Sequence, residues 1–265
     1  METYQSLSQT HLTLFETCPP LFQKKYLEQI STLPNINQEE KSEWGKKFHL
    51  LMQQYHLGLP VHDFIYDDIS FQQSLEALIN ETKNIWISSK TFSREAEYKL
   101  QLKFNNYIFT VIYDLLILYP DQAIIYDWKT YLQPENKNKL QNNWQTKLYL
   151  YVLAEKMNYQ PSQLSMTYWF VKLPHKPQSV TVQYSDAMHQ KNRQEIVNIL
   201  DKLESFTHDY INNNLDFSHV INCQKKCPYY KLLKEDNIID NAIESVANIS
   251  SNLSEIEEIN PFLNS

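Results

Sequence analysis

From Glu95 to Phe104 the chain alternates, with Glu97, Lys99, Gln101 and Lys103 interleaved with Tyr98, Leu100, Leu102 and Phe104. A period of two is that of a strand with one buried and one wet face. The alternation then gives way to two almost continuous apolar runs, Tyr107–Tyr119 and Ala123–Trp128. Both are rich in β-branched and aromatic residues and read as central strands covered on both sides. Asn105-Asn106 and Pro120-Asp121-Gln122 supply turns, so the three strands form a meander. Leu164–Val171 and Ser179–Tyr184 predict two more strands.

Around them the period changes to that of helices. Residues 9–30 read as helical with a break at Pro19-Pro20. Asn35–Glu43 reads as a polar connection, and Ser42–Leu57 as a helix with Trp44, Phe48, Leu51, Met52 and Tyr55 near one face. Further helices are predicted over Ile69–Ser88, Asn138–Met157 and Asp186–Asn212, the last capped by Ser185 or Asp186. Helices, a meander, a helix, two strands and a helix make an α/β architecture, a central mixed β-sheet flanked by helices. The expected organisation is one domain over 1–234, with N-terminal helices over 1–90 and a core carrying the sheet over 91–234. An acidic, flexible tail over 235–265 follows.

Composition narrows the chemistry. Gly45 and Gly58 are the only glycines, which excludes a glycine-rich phosphate loop and a GxGxxG dinucleotide fingerprint. No apolar run reaches the roughly 18–20 residues a membrane span needs, so no membrane partner is expected. The first residues lack a secretory signal, and the expected location is the cytoplasm. Three cysteines, Cys18, Cys223 and Cys227, are too few for a disulfide framework and suit a reducing compartment. The net charge of -7 argues against a broad nucleic-acid-binding surface. Seven of the 31 acids, however, lie from Glu235 onward with no Lys or Arg among them. The remaining acids are balanced by 24 Lys and Arg, and a neutral body can carry a local basic groove.

Five D/E-x-K triplets occur, beginning at Glu39, Glu81, Glu97, Asp127 and Glu135, where chance gives roughly 2 to 3, so the pattern alone selects none of them. Context selects Asp127. It alone ends a strong apolar strand, IIYDWKT, and follows another strand with an acid inside it, VIYDLLIL, with Asp114. A lone carboxylate in such a strand is costly to bury, so Asp114 must be paired, protonated or bound to a cation. Counting outward from the turn at Pro120 sets Asp114 roughly opposite Asp127, with Lys129 on the face of Asp127. Two hard carboxylates suit Mg2+ or Mn2+. The competing reading is a structural ion pair of Asp114 with Lys129.

Five motifs in order carry a resemblance. They are LSQTHLTLFETCPPLFQKKYL, GKKFHLLM, VIYDLLIL, IIYDWKT and QTKLYLYVLAE. Together they resemble the PD-(D/E)XK nuclease superfamily, and within it the RecB-like exonuclease branch, over about Leu7–Tyr230. The resemblance implies a restriction-endonuclease-like core and a metal-dependent deoxyribonuclease using Mg2+ or Mn2+, expected to be an exonuclease in DNA repair, recombination or defence. It implies Asp114, Asp127, Lys129, Gln145 and Tyr149 as catalytic residues and His49, Asp114 and Asp127 as metal ligands. Glu95 and Glu97, on the preceding strand, are candidates for an outer role or simply solvated strand-face acids. Val111 stands where the family usually has a glycine three residues before the first acid, so the local bend is expected to differ.

Some members of the branch hold a four-cysteine iron-sulfur cluster. Here no cysteine stands at the fourth place, near Leu232 or Leu233, so the resemblance implies a lost cluster whose remnant is Cys18, Cys223 and Cys227. Implied partners are single- or double-stranded DNA and a helicase or other repair or defence protein. Lys46 and Lys47 beside His49 are the foremost candidates for phosphate contacts, with Lys24-Lys25, Lys137-Lys139 and Lys225-Lys226 behind them. Tyr131, Trp144, Tyr149 and Trp169 either stack on unpaired bases or fill the core. The alternative function is a catalytically degenerate subunit that binds nucleic acid or a partner protein without cleaving.

Overall fold

The computed structural model describes residues 5–30, 36–61, 68–86, 93–130, 134–173, 176–220 and 223, with the backbone alone for 36–42 and 84. Tyr131, Lys225, Lys226, Cys227 and the whole of 235–265 lie outside the described residues. The elements are β1 (Gln5–Leu7), α1 (Gln9–Thr17), α2 (Pro19–Phe22), a π-helical turn (Gln23–Leu27), α3 (Ile36–His56), α4 (Ile69–Trp86), β2 (Ser93–Phe104), β3 (Tyr107–Leu118) and β4 (Ala123–Lys129). They continue with α5 (Lys137–Asn142), α6 (Trp144–Lys156), β5 (Leu164–Phe170), β6 (Gln178–Gln183) and α7 (Asp186–Asn213).

The chain divides into two compact units. The first joins Met1–Glu43, Lys103–Thr110 and Asn192–Ser265; the second joins Trp44–Leu102 and Val111–Lys191. In the first unit β1 pairs parallel with the start of β3, Gln5 opposite Tyr107. Asn105 takes φ 52 in the two-residue turn between β2 and β3, a conformation that asparagine tolerates. Phe15, Phe22, Phe206 and Phe217 form an aromatic cluster. Gln23 ties the segments together, its Oε1 accepting from the Phe217 amide and its Nε2 donating to Asp216. The Sγ atoms of the buried cysteines Cys18 and Cys223 lie 2.9 Å apart, and His219 Nδ1 is 3.3 Å from Cys223 Sγ.

The second unit carries the mixed sheet. β3 and β4 are antiparallel, β4 and β5 parallel, and β5 and β6 antiparallel. One face buries Leu115, Ile117, Tyr126, Trp128 and Trp169 against Phe48, Leu51 and Met52 of α3 and Phe71, Leu75 and Leu78 of α4. Each such aliphatic or aromatic side chain contributes on the order of 1.5–3 kcal/mol when fully removed from water. β5 is buried along its whole length, as expected of a strand covered on both faces.

Two sequence expectations are corrected. α3 begins at Ile36, so the polar stretch Asn35–Glu43 is largely helix: charge alone does not stop a helix, and this stretch has no Gly or Pro in it. Residues 138–157 are two helices rather than one. Asn143 adopts an extended conformation, and its side chain accepts from Thr146 N, starting α6 afresh. Asparagine competes for its neighbours' backbone in this way, and only local geometry reveals it. β1, three residues long, carried no periodic signal. Val111 leaves β3 unbroken; the left-handed residue is instead Glu97 in β2, at φ 50.

Candidate active site

The last pair of the β3–β4 ladder is Leu115 with Tyr126, and one step further in the same register stand Asp114 and Asp127. β4 remains paired to β5 as far as Lys129 with Phe170. Beyond Tyr126 the amide of Trp128 is taken by a side chain, donating to Asp114 Oδ2 at 2.7 Å. A buried amide needs an acceptor, and a carboxylate gains from accepting one. This explains how the strand tolerates an acid that is only 9 % exposed.

His49 of α3 completes that corner. Its Nε2 is 3.1 Å from Trp128 O, and its Nδ1 is 3.2 Å from Asp114 Oδ1. A carbonyl oxygen can only accept, so Nε2 carries a proton. In the neutral ring Nδ1 then presents a lone pair beside a carboxylate oxygen. That arrangement requires either a second proton on the ring or a cation shared by the two atoms. A backbone carbonyl holding the far nitrogen is the usual support for a metal-ligating histidine. Glu97 of β2 joins them: one ligand atom each from His49, Glu97 and Asp114 lie within 4.8 Å of one another. One nitrogen and two carboxylates are a donor set that fits Mg2+ or Mn2+.

On the neighbouring strand Asp127 and Lys129 project together. Lys129 Nζ is 2.9 Å from Asp127 Oδ1, an ion pair whose angles are poor for a hydrogen bond, and donates to Gln145 Oε1 at 2.9 Å. Gln145 Nε2 donates in turn to Asp127 Oδ2. The restart of α6 at Asn143 sets Gln145 in the first turn, facing both. The Lys129 ammonium also lies 5.5 Å from the ring centroid of Tyr168. Burial pushes the Asp127 carboxyl up to about 6; Lys129 opposes this, and the negative charge of Asp114 adds to it. Tyr149 is buried beside them, its phenol held well above its ordinary pKa by burial and by the charges of Asp127 and Asp114. Its backbone carbonyl accepts from Tyr113 OH at 3.0 Å.

The structure thus gathers His49, Asp114, Asp127, Lys129, Gln145 and Tyr149 in one unit, with Asp127 held by Lys129 and Gln145 while Glu97 stands with His49 and Asp114. No feature of the sequence sets Glu97 apart from Glu95, which is exposed and receives a hydrogen bond from Ser93 Oγ. Lys46 and Lys47 are exposed, and Lys47 Nζ lies 4.9 Å from the ring centroid of Phe71. Lys24 is paired with Glu28, and Lys139 with Glu135. Trp144, Tyr149 and Trp169 are core residues, at most 5 % exposed, rather than open stacking platforms. Among the described residues, no helix is long and apolar enough to cross a membrane.

Comparison with known proteins agrees with the fold. A structure from Eubacterium rectale described as a "Putative exonuclease" is 11% identical, with a TM-score of 0.52 and 90% of each chain covered. SSO0001 is also 11% identical, covering 74% of this chain and 78% of that one at a TM-score of 0.33, which carries no argument. No curated protein matches the sequence. The family profile of the PD-(D/E)XK nuclease superfamily matches residues 6–232, and the chain belongs to that superfamily.

Proposed function

We propose that the protein is a metal-dependent deoxyribonuclease that hydrolyses phosphodiester bonds, working from DNA ends. The observation that carries this reading is the convergence of Asp114 and Asp127 at the point where the β3–β4 ladder ends, with His49 on one side and Lys129 on the other. Hydrolysis adds water to phosphorus and breaks one P–O ester bond, leaving a phosphate monoester and a hydroxyl end. The carboxylates and His49 would hold Mg2+ or Mn2+, which would supply Lewis-acid polarisation of the phosphate and a more acidic water. Lys129 sets a fixed positive charge where negative charge grows on phosphate oxygens. Gln145 holds Lys129 Nζ and Asp127 Oδ2 at once, fixing the orientation of both. Asp127 is assigned to receive a proton from the attacking water. Exposed Lys46 and Lys47, on the helix that carries His49, are assigned to the DNA backbone, which makes binding salt-sensitive and sequence-neutral. DNA repair, recombination or defence are the settings such an activity suits.

The test uses linear and closed-circular DNA, single- and double-stranded, with Mn2+ or Mg2+. Linear substrates should shorten progressively and circles should persist. Degradation of circles overturns the end-dependence, and inertness toward every substrate with either metal overturns the nuclease reading.

A further inference from the structure

We propose that Tyr168 is a positioning residue for the cleavage reaction, its ring setting the place of the Lys129 ammonium and its hydroxyl setting the turn of α6 that carries Gln145. The proposal rests on the nuclease reading above and adds a residue of β5 to it. Tyr168 pairs with Asp127 in the parallel β4–β5 ladder, and Lys129 pairs with Phe170. Side chains alternate along a strand, so Asp127, Lys129 and Tyr168 share one face of the sheet. Tyr168 is completely buried, and Lys129 Nζ lies over its ring, 5.5 Å from the centroid. The face of an aromatic ring attracts a cation, and most strongly where water is excluded. The Lys129 ammonium thus meets Asp127, Gln145 Oε1 and the ring together.

The hydroxyl has a separate task. Thr146 Oγ1 is 2.6 Å from Tyr168 OH and 2.5 Å from Leu140 O. A carbonyl only accepts, so Thr146 donates to Leu140 and accepts from the phenol. Asn143, whose Oδ1 accepts from Thr146 N at the start of α6, also hydrogen-bonds the phenol through its side chain. The phenol is therefore tied to Asn143 and Thr146, which bracket Gln145. Gln145 in turn bridges Lys129 Nζ and Asp127 Oδ2. One side chain of β5 thus fixes both the ammonium and the amide that aligns it. Phenylalanine at this position fills the core without the second connection, and leucine makes neither.

The test combines single-turnover cleavage of labelled DNA with Mn2+ and NMR of the lysine Hε protons without DNA or metal. Tyr168→Leu should slow cleavage at saturating protein about tenfold, while the concentration for half-saturation and the Mn2+ affinity change by less than about threefold. Tyr168→Phe, which keeps the ring, should slow it about threefold. In a Lys129→Met background Tyr168→Leu should change the rate by less than about twofold, as should Tyr168→Phe in a Gln145→Leu background, because each effect runs through the residue already removed. A tyrosine that only fills the core gives the same factor in every background. The Hε resonance that Lys129→Met removes should show a nuclear Overhauser effect to the Tyr168 ring in wild type, and to the new ring in Tyr168→Phe. Circular dichroism checks the fold of each variant. If Tyr168→Leu does not fold, the Tyr168→Phe and Gln145→Leu pair and the wild-type nuclear Overhauser effect decide. Equal factors with and without Lys129 or Gln145 overturn the proposal, as does cleavage by a wild type that lacks the nuclear Overhauser effect. Wild type that shows the effect yet leaves DNA intact overturns the nuclease reading instead.

Discussion

Replacing His56 by phenylalanine removes one proton-binding group from the core while keeping an aromatic ring in place. The His56 ring lies 6.1 Å from Trp128 at 12° and 4.5 Å from Trp86 at 71°, and it is 7 % exposed. Neither ring nitrogen has a hydrogen-bond partner among the described residues. Burial, aided by the positive charge of Arg94, lowers its pKa from 6.5 to about 3. An unfolded chain protonates this group near 6.5, so between about 3 and 6.5 the unfolded state binds the extra proton. Stability is therefore lost as pH falls through that window. At 1.36 kcal/mol per pH unit, His56 costs about 2 kcal/mol at pH 5 and about 5 kcal/mol over the full interval. Unfolding by urea at pH 7.5 and pH 5.0, without metal, isolates the effect, because other titrating groups are common to both proteins. The His56→Phe variant should lose about 2 kcal/mol less than wild type between the two pH values, which corresponds to several degrees in Tm. An equal loss in both proteins refutes the buried, neutral histidine.

The site yields further predictions. Lys129→Met should lower single-turnover cleavage on the order of 100-fold or more while leaving Mn2+ affinity within a few fold. It should also destabilise the fold by about 3–5 kcal/mol, because Asp127 is left buried without its counter-charge; unchanged denaturation would refute the pairing. Gln145→Leu removes the hydrogen bonds to Lys129 and Asp127 and should cost about 1–3 kcal/mol in urea unfolding, with slower cleavage. Asp127 shifts in the opposite sense to His56. Its folded pKa of about 6 exceeds the ordinary 3.8, so the folded state binds more protons across that window and wild-type stability falls as pH rises through it. That cost reaches about 3 kcal/mol. The Tm of Asp127→Asn relative to wild type, without metal, should therefore rise from pH 4 to pH 7; a constant difference contradicts the shift.

Much of this was legible in the sequence because it depends on periodicity and polarity. The apolar runs around Asp114 and Asp127 announced buried strands, and counting from Pro120 gave the register that sets the two acids opposite one another. Gln145 and Tyr149 came from motif spacing, not from any local signal. What stayed hidden depends on single backbone conformations. Nothing in REAEYK distinguishes Glu97 from Glu95, since the left-handed φ of Glu97 is imposed by the surrounding fold. The extended Asn143 that restarts α6 is equally silent, as is the short β1. His56 reads as one more helical histidine; only packing reveals it between Trp86 and Trp128.

The central claim is metal-dependent cleavage at the Asp114–Asp127 corner. End-labelled DNA incubated with wild type and Asp127→Ala under single-turnover conditions, with Mn2+ or with EDTA, tests it most directly. Shortened products ending in a phosphate monoester or a hydroxyl should form only with wild type and Mn2+. Cleavage of comparable rate by Asp127→Ala, or by wild type in EDTA, would contradict the account.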